Sequence, residues 1–348
     1  MKKVTVKDIA EMSGYSVSTI SKALNGTDRV SMETIAKIKQ IAEQCGYRSS
    51  FSAQSLARKT RKIAIVLYNE PREIRTMFEE GFASAFDLYG EFGIEPVYYY
   101  FDTDDIPNLS CVPWDKIGDE CDALIMTPSN RNVDFHTCVE TLDQIGKKIP
   151  IVSLLMKHEC LSDITHMASV TVNAKVVGAL AAQFIAVSNR TTTGKTAIIT
   201  GYKNEWIHHE NIKSFISTGN RFGFETVAVE ESFNEMDKAY SETKKILTEH
   251  KDISGLFATS YVSPAICEAL CDMGRQDITI VGVDLGKDAV RYMKAGILDA
   301  AIFQNQKQQA ETSVEYVVNY FRGTMVASDV YVKPELVLLS NLPCYGWI

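Results

Sequence analysis

From Lys62 to about residue 340, short runs of apolar and β-branched residues alternate with amphipathic stretches of helical period, and few folds accept that pattern. Residues 63–67, 96–101, 123–126, 151–155, 170–172, 196–199, 226–229, 255–258, 278–283 and 300–303 read as strands. Residues 78–88, 175–187, 236–249 and 312–321 read as helices lying between them. Parallel strands need a crossover, usually a helix, so this alternation predicts parallel sheets with helices on both faces. So many strands exceed one sheet of about six, and two doubly wound subdomains are expected. The polar run 188–194 lacks apolar periodicity and is the expected first crossing. An N-subdomain of about 62–190 with 304–330 and a C-subdomain of about 191–303 with 331–348 follow, within a body ending near 340.

The 348 residues carry a net charge of −8, which taken alone argues against a nucleic-acid partner. The average hides two opposite modules. Residues 1–62 hold 12 Lys and Arg against 5 Asp and Glu, a net of +7, and the remainder carries −15. Phosphate neutralisation needs local positive charge, so a small basic head on an acidic body suits a DNA-binding module joined to a regulatory domain. No apolar stretch approaches the roughly 18 residues of a membrane span, and no apolar run follows the basic N-terminus as in a secretory signal. A cytoplasmic protein without membrane association is expected. Cysteines 45, 111, 121, 138, 160, 267, 271 and 344 form no Cys-x-x-Cys pair and no zinc spacing, so they read as reduced thiols, with Cys267 and Cys271 one turn apart on a buried face.

The basic head is patterned as a folded domain. Thr5-x-x-Asp8 forms a capping box for a helix with Val6, Ile9 and Ala10 inward, and Gly14 ends it in a left-handed turn. Ser16 caps a second helix with Ile20, Ala23 and Leu24 inward and Val17, Ser18, Ser21 and Lys22 outward; Asn25-Gly26 closes it. Ser31 caps a third helix carrying Ile35, Ile38, Ile41 and Ala42, which ends near Gly46. A short second helix after a tight glycine turn, presenting small polar residues and one cation, has the build of a recognition helix for a major groove.

The run from Val4-Thr-Val-Lys-Asp-Ile-Ala to Ser16-Val-Ser-Thr-Ile-Ser-Lys-Ala-Leu-Asn-Gly26 resembles the headpiece of the lactose repressor and galactose repressor (LacI/GalR) family, as do Gly46-Tyr47-Arg48 and Ala53-x-x-Leu56-Ala57. The resemblance implies a headpiece over 1–48, a hinge helix or linker over 49–61 and an effector-binding body over 62–340. It implies DNA contacts from Thr5, Ser16, Val17, Ser18, Thr19, Ser21, Lys22, Asn25, Ala53 and Leu56. In that family the hinge leucine enters the minor groove, a device that unstacks a base step and bends DNA. Ser49-Ser50 stand where the family has Pro-Asn, and Ser50 can cap a hinge helix in their place. Paired headpieces imply a homodimer on a pseudo-palindromic double-stranded operator.

The body resembles the type I periplasmic sugar-binding fold that the family joins to its headpiece. The signatures are Val172-Asn173-x-x-x-x-Gly178, Val281-Gly-Val-Asp284 and Gly296-x-Leu-Asp-Ala-Ala-x-x-Gln304-Asn. They imply an inter-subdomain cleft in which Asp284 and Gln304 hydrogen-bond ligand hydroxyls. Asn173, Asn211 and Tyr261 are further candidates, followed by Asn69, Ser129, Asn130 and Trp206. An aromatic such as Tyr68, Trp206 or Tyr261 can stack on the apolar face of a sugar. The chain departs from the family pattern at Asn173, at Asn211-Ile-Lys-Ser214-Phe215 and at Tyr261-Val262, where the family has an acid, an arginine-bearing motif and Asn-Asp.

An enzyme on a doubly wound body is the alternative. Gly194-Lys195-Thr196 resembles the end of a phosphate loop, but position 189 is Asn rather than Gly, and Lys195 leads into a strand. No Gly-x-Gly-x-x-Gly follows the first body strand, and His208-His209-Glu210 lacks the spacing that puts two metal ligands on one helical face. Neither a catalytic constellation nor a metal or cofactor site is expected. The sequence reads as a ligand-gated transcription regulator, a repressor of carbohydrate-utilisation genes whose effector is a sugar or sugar derivative.

Overall fold

The computed structural model describes residues 6–24, 30–45, 60–69, 71–102, 112–127, 135–157, 167–188, 194–324 and 327–346. The chain divides into two compact units, Met1–Thr60 with Glu91–Gly93, and Arg61–Gly90 with Ile94–Ile348.

The first unit contains helices α1 (Val6–Ser13), α2 (Val17–Leu24) and α3 (Met32–Gln44). Gly14, at φ 73°, turns the chain out of α1 in the left-handed region that glycine enters freely. Ser16 Oγ accepts from the Thr19 amide at 3.1 Å and Ser31 Oγ from the Thr34 amide at 3.3 Å, so each serine satisfies an orphan donor of the helix it opens. Ile9, Ile20, Ala23, Ile38 and Ala42 meet in a small core, as the 3.6-residue period predicts.

In the second unit two six-stranded sheets form. The first contains β1 (Arg61–Tyr68), β2 (Ile94–Phe101), β3 (Ala123–Met126), β4 (Ile151–Leu154), β5 (Met167–Val172) and β11 (Asp329–Val332), in the order β11-β5-β4-β3-β1-β2, all parallel. Strand β1, between β3 and β2, is buried on both faces from Ile63 to Leu67, which is why it reads as an unbroken apolar run. Helices α4 (Arg72–Tyr89), α5 (Trp114–Glu120), α6 (Phe135–Gly146) and α12 (Gln306–Phe321) belong to this subdomain.

The second sheet contains β6 (Lys195–Thr200), β7 (Glu225–Glu231), β8 (Ile253–Ala258), β9 (Thr279–Val283), β10 (Ala300–Phe303) and β12 (Glu335–Val337). Its order is β12-β10-β9-β8-β6-β7, parallel except for β12. Helices α7 (Ala174–Ser188), α8 (Trp206–Phe222), α9 (Met236–Glu249), α10 (Ser263–Met273) and α11 (Lys287–Lys294) cover it.

The first crossing differs from the expectation at 188–194. Helix α7, which precedes that run, packs on α8 of the second subdomain, so the chain crosses at Asn173. Gly178 sets the approach: a Cβ there would lie 2.2 Å from the Asn211 carbonyl oxygen and 2.8 Å from the Phe215 nitrogen. Two more crossings follow, at Gln304–Asn305 between β10 and α12 and at Lys333–Pro334 between β11 and β12. The edge strands β11 and β12 were not anticipated, being short and mixed in polarity. Cys267 is buried in the second core and Cys271 half-buried, while Cys111 and Cys160, and the side chain of Cys138, lie outside the described residues. Among the described residues no helix is long and apolar enough to cross a membrane.

Candidate functional site

Two surfaces carry the residues singled out in the sequence. On the headpiece, Ser16, Val17, Ser18 and Lys22 are exposed and Thr19 is half-buried, all on or just before α2, whose opposite face supplies Ile20 and Ala23 to the core. Val17 keeps 46% of its surface in water. Thr5, Asn25, Ala53 and Leu56 lie outside the described residues, as does the side chain of Ser21.

In the body, the carboxyl ends of strands from both sheets face one cavity of about 120 Å³, the space of several ordered waters and so of a small molecule. The first subdomain contributes Tyr68, Pro71, Ile74, Leu155 and Met156; the second contributes Glu205, Trp206, His208, Asn234, Thr259, Ser260, Tyr261 and Asp284, with Gln304 at the crossing. Three of these, Leu155, Asn234 and Asp284, have left-handed backbones at φ 61°, 62° and 69°. Leu155 and Asp284 come directly after β4 and β9, Asn234 shortly after β7. Non-glycine residues held there store about 1–2 kcal/mol each, strain that concentrates where a fold aims groups at a ligand.

Asp284 is the centre of the polar wall. It is 8% exposed, and Gln304 Nε2 donates to both its oxygens at 3.0 and 3.1 Å while Gln306 Nε2 donates to Oδ1 at 2.6 Å. Burial pushes its carboxyl up to about 6, against the opposing pull of the Gln306 and Gln304 amides and of His208. Gln309, also buried, donates to the Gln304 carbonyl at 2.8 Å and holds the crossing in place. A second buried line runs through His208, whose Nε2 lies 3.2 Å from Glu205 Oε2 and whose Nδ1 shares a 2.9 Å hydrogen bond with Thr259 Oγ1; Thr259 in turn pairs with Thr200 at 2.6 Å. Among the described residues Ser260 Oγ, Gln304 Oε1 and Asn234 Oδ1 are buried without a partner.

Of the effector residues expected from sequence, Tyr68, Trp206, Tyr261, Asp284 and Gln304 come together here. Asn69, Asn173 and Asn211 are not among the lining residues. Asn69 donates to Asp102 at 2.8 Å and accepts from Arg75, while Asn211 is buried on α8 with its backbone against Gly178 of α7. Ser129 and Asn130 lie outside the described residues. Sequence reasoning missed Glu205, His208, Asn234, Thr259 and Ser260. For Thr259 and Ser260 a signal existed, because they directly follow β8 and ligands bind beyond the carboxyl ends of such strands. His208 was weighed only as a metal ligand; among the described residues no His, Cys, Asp and Glu group is arranged for one.

Residues 117–325 match the periplasmic binding protein domain, and residues 5–50 match the lacI family of bacterial regulatory proteins. The chain is 24% identical over 339 residues to the HTH-type transcriptional regulator MalR of Clostridium butyricum, covering 96% of this chain and 98% of that one. The Ribitol operon repressor of Klebsiella aerogenes is 38% identical over 71 residues, 19% of this chain and 26% of the relative. Among solved structures, the glucose-galactose binding protein GanP of Geobacillus stearothermophilus superposes with a TM-score of 0.72 at 19% identity, covering 82% of this chain and 100% of that one, a likeness of fold. A helix-turn-helix module and a two-sheet body of the periplasmic-binding type together define a DNA-binding transcription regulator with a periplasmic-binding-protein-type domain. Over residues 117–325 the chain belongs to the periplasmic binding protein domain family, and residues 5–50 carry the regulatory module of the lacI family.

Proposed function

We propose that this regulator is a homodimeric repressor of carbohydrate-utilisation genes, that a small polyhydroxylated effector enters the cleft between the two sheets, and that the protein is a sensor without catalytic activity. The observation that carries the reading is the cleft itself: Asp284 and Gln304 stand beside Tyr68, Trp206 and Tyr261, polar groups that suit sugar hydroxyls and rings that suit its apolar face. The regulator acts in the cytoplasm. On each half-site of a pseudo-palindromic operator, Val17, Ser18 and Lys22 of α2 read the major groove, with Ser16, Thr19 and Ser21 beside them and Thr5 and Asn25 flanking.

Residues 50–58 form a hinge whose Leu56 and Ala53 meet the minor groove, and closure of the cleft changes the separation of the two hinges. A coupling of about 1–3 kcal/mol, or 5- to 150-fold in operator affinity, is ordinary for such a switch, and by linkage the operator changes effector affinity by the same factor. The test measures operator affinity and DNA bending with and without sugars, on the wild type and on Leu56→Ala. Release of a bent operator by a sugar, and weaker, straighter binding by the variant, are expected. A protein insensitive to every sugar, or one that turns the sugar over, would sink the reading.

A further inference from the structure

A carboxylate taken out of water is normally paired with a cation, because neutral donors compensate its lost hydration only in part. Asp284 departs from this. Its donors, Gln304 Nε2 and Gln306 Nε2, are uncharged amides, among the described residues no lysine or arginine pairs with it, and His208, whose pull reaches it, makes its own contacts with Glu205 at 3.2 Å and Thr259 at 2.9 Å. A second carboxylate, Glu205, lines the same cavity, and so do Gln304 and Asn234, whose Oε1 and Oδ1 are buried and, among the described residues, without partners. The orientation of the Gln304 amide is fixed by chemistry, since its nitrogen must face the Asp284 carboxylate and its oxygen is therefore turned away from it. The described walls thus set two carboxylates, and no lysine or arginine, before a ligand, between aromatic rings that also favour a cation.

A neutral sugar presents hydroxyls that both donate and accept, and leaves Asp284 without a counter-ion. An anionic sugar adds a third negative charge. An ammonium supplies three donors and the missing positive charge. We propose that the effector is an amino-bearing polyol, an amino sugar or aminocyclitol, whose ammonium serves as the counter-ion of Asp284 within the field of Glu205 while its hydroxyls reach Gln304 and Asn234. The inference rests on the reading of the cleft as a polyol site.

The test titrates the full-length protein with matched sets: D-glucosamine, D-glucose, N-acetyl-D-glucosamine and D-glucuronate; the corresponding galactose set; and an inosamine against myo-inositol. The sets distinguish a hexosamine from an aminocyclitol. In at least one set the free amine is expected to bind about ten-fold or more tightly than the neutral parent and the N-acetyl form, with no binding of the uronate. Asp284→Asn is expected to weaken amine binding by a larger factor than binding of the neutral parent; if this variant does not fold, the wild-type sets decide alone. Binding in which no set prefers its amine, every neutral sugar or uronate that binds doing so as tightly as its amine, would overturn the inference and leave the polyol reading standing. A panel in which no member binds would overturn both.

Discussion

Gln306 Nε2 lies 2.6 Å from Asp284 Oδ1, and this hydrogen bond joins the two halves of the body. Asp284 directly follows β9 of the second sheet, whereas Gln306 opens α12, which packs against the first. The cleft wall and the crossing are therefore one polar unit, so a ligand that engages Asp284 also touches one of the segments that join the subdomains.

That unit gives stability a definite pH dependence. The Asp284 carboxyl titrates at about 6 in the folded protein because of burial, against roughly 4 in an unfolded chain. Between these values the folded state binds more protons, so raising pH from 4 to 6 removes stability, by about 3 kcal/mol at most, and above 6 the loss is complete. Urea unfolding of wild type and Asp284→Asn across pH 4–8 checks this. The wild type is expected to lose stability relative to the variant over pH 4–6 and to run parallel to it above; parallel curves throughout would mean that Asp284 is not held in a poorly solvated site.

Helix α7 reaches α8 only because residue 178 has no side chain. Gly178→Ala gains up to about 1 kcal/mol of helix propensity, but its methyl would press on the backbone of Asn211 and Phe215, and overpacking of this kind costs about 1–3 kcal/mol. Net destabilisation is expected, read as a lowered melting temperature. An unchanged or raised value would show that the helices separate freely.

In the headpiece, Ser31→Ala removes the acceptor for the Thr34 amide at the start of α3. The expected loss is about 1 kcal/mol of headpiece stability, measured by thermal melting with the far-ultraviolet helix signal of the full chain. Ser31→Asp, which restores an acceptor and adds a favourable charge at the helix N-terminus, is expected to recover it.

Lys22 is exposed at the end of α2, where it can donate to guanine acceptors. Lys22→Ala is expected to cost about 1–3 kcal/mol and to relax preference at one position of each half-site, scored on operators varied one base pair at a time. An equal loss on every sequence would make it a phosphate contact, and no change would detach α2 from base reading.

The amino-acid sequence by itself determined the local elements, because they depend on near-neighbour physics. Periodicity placed Ile9, Ile20 and Ile38 in one core, Gly14 and Ser16 bounded the helices, and the unbroken apolar run 63–67 marked a strand buried on both faces. It also made Asp284 and Gln304 candidates, through their positions at strand ends. Only the tertiary structure decided which groups converge. Glu205 and His208 enter the cleft because β6 ends beside β8, which brings His208 against Thr259, 51 positions along the chain. Asn211, three residues after His208 on the same helix, is not among the lining residues, and its backbone lies against Gly178 where α7 packs on α8. The first crossing was misread for the same reason: the polar run 188–194 carries the local signature of a linker, but which sheet a helix covers is settled by packing between residues far apart in sequence, and that packing puts α7 with the second sheet.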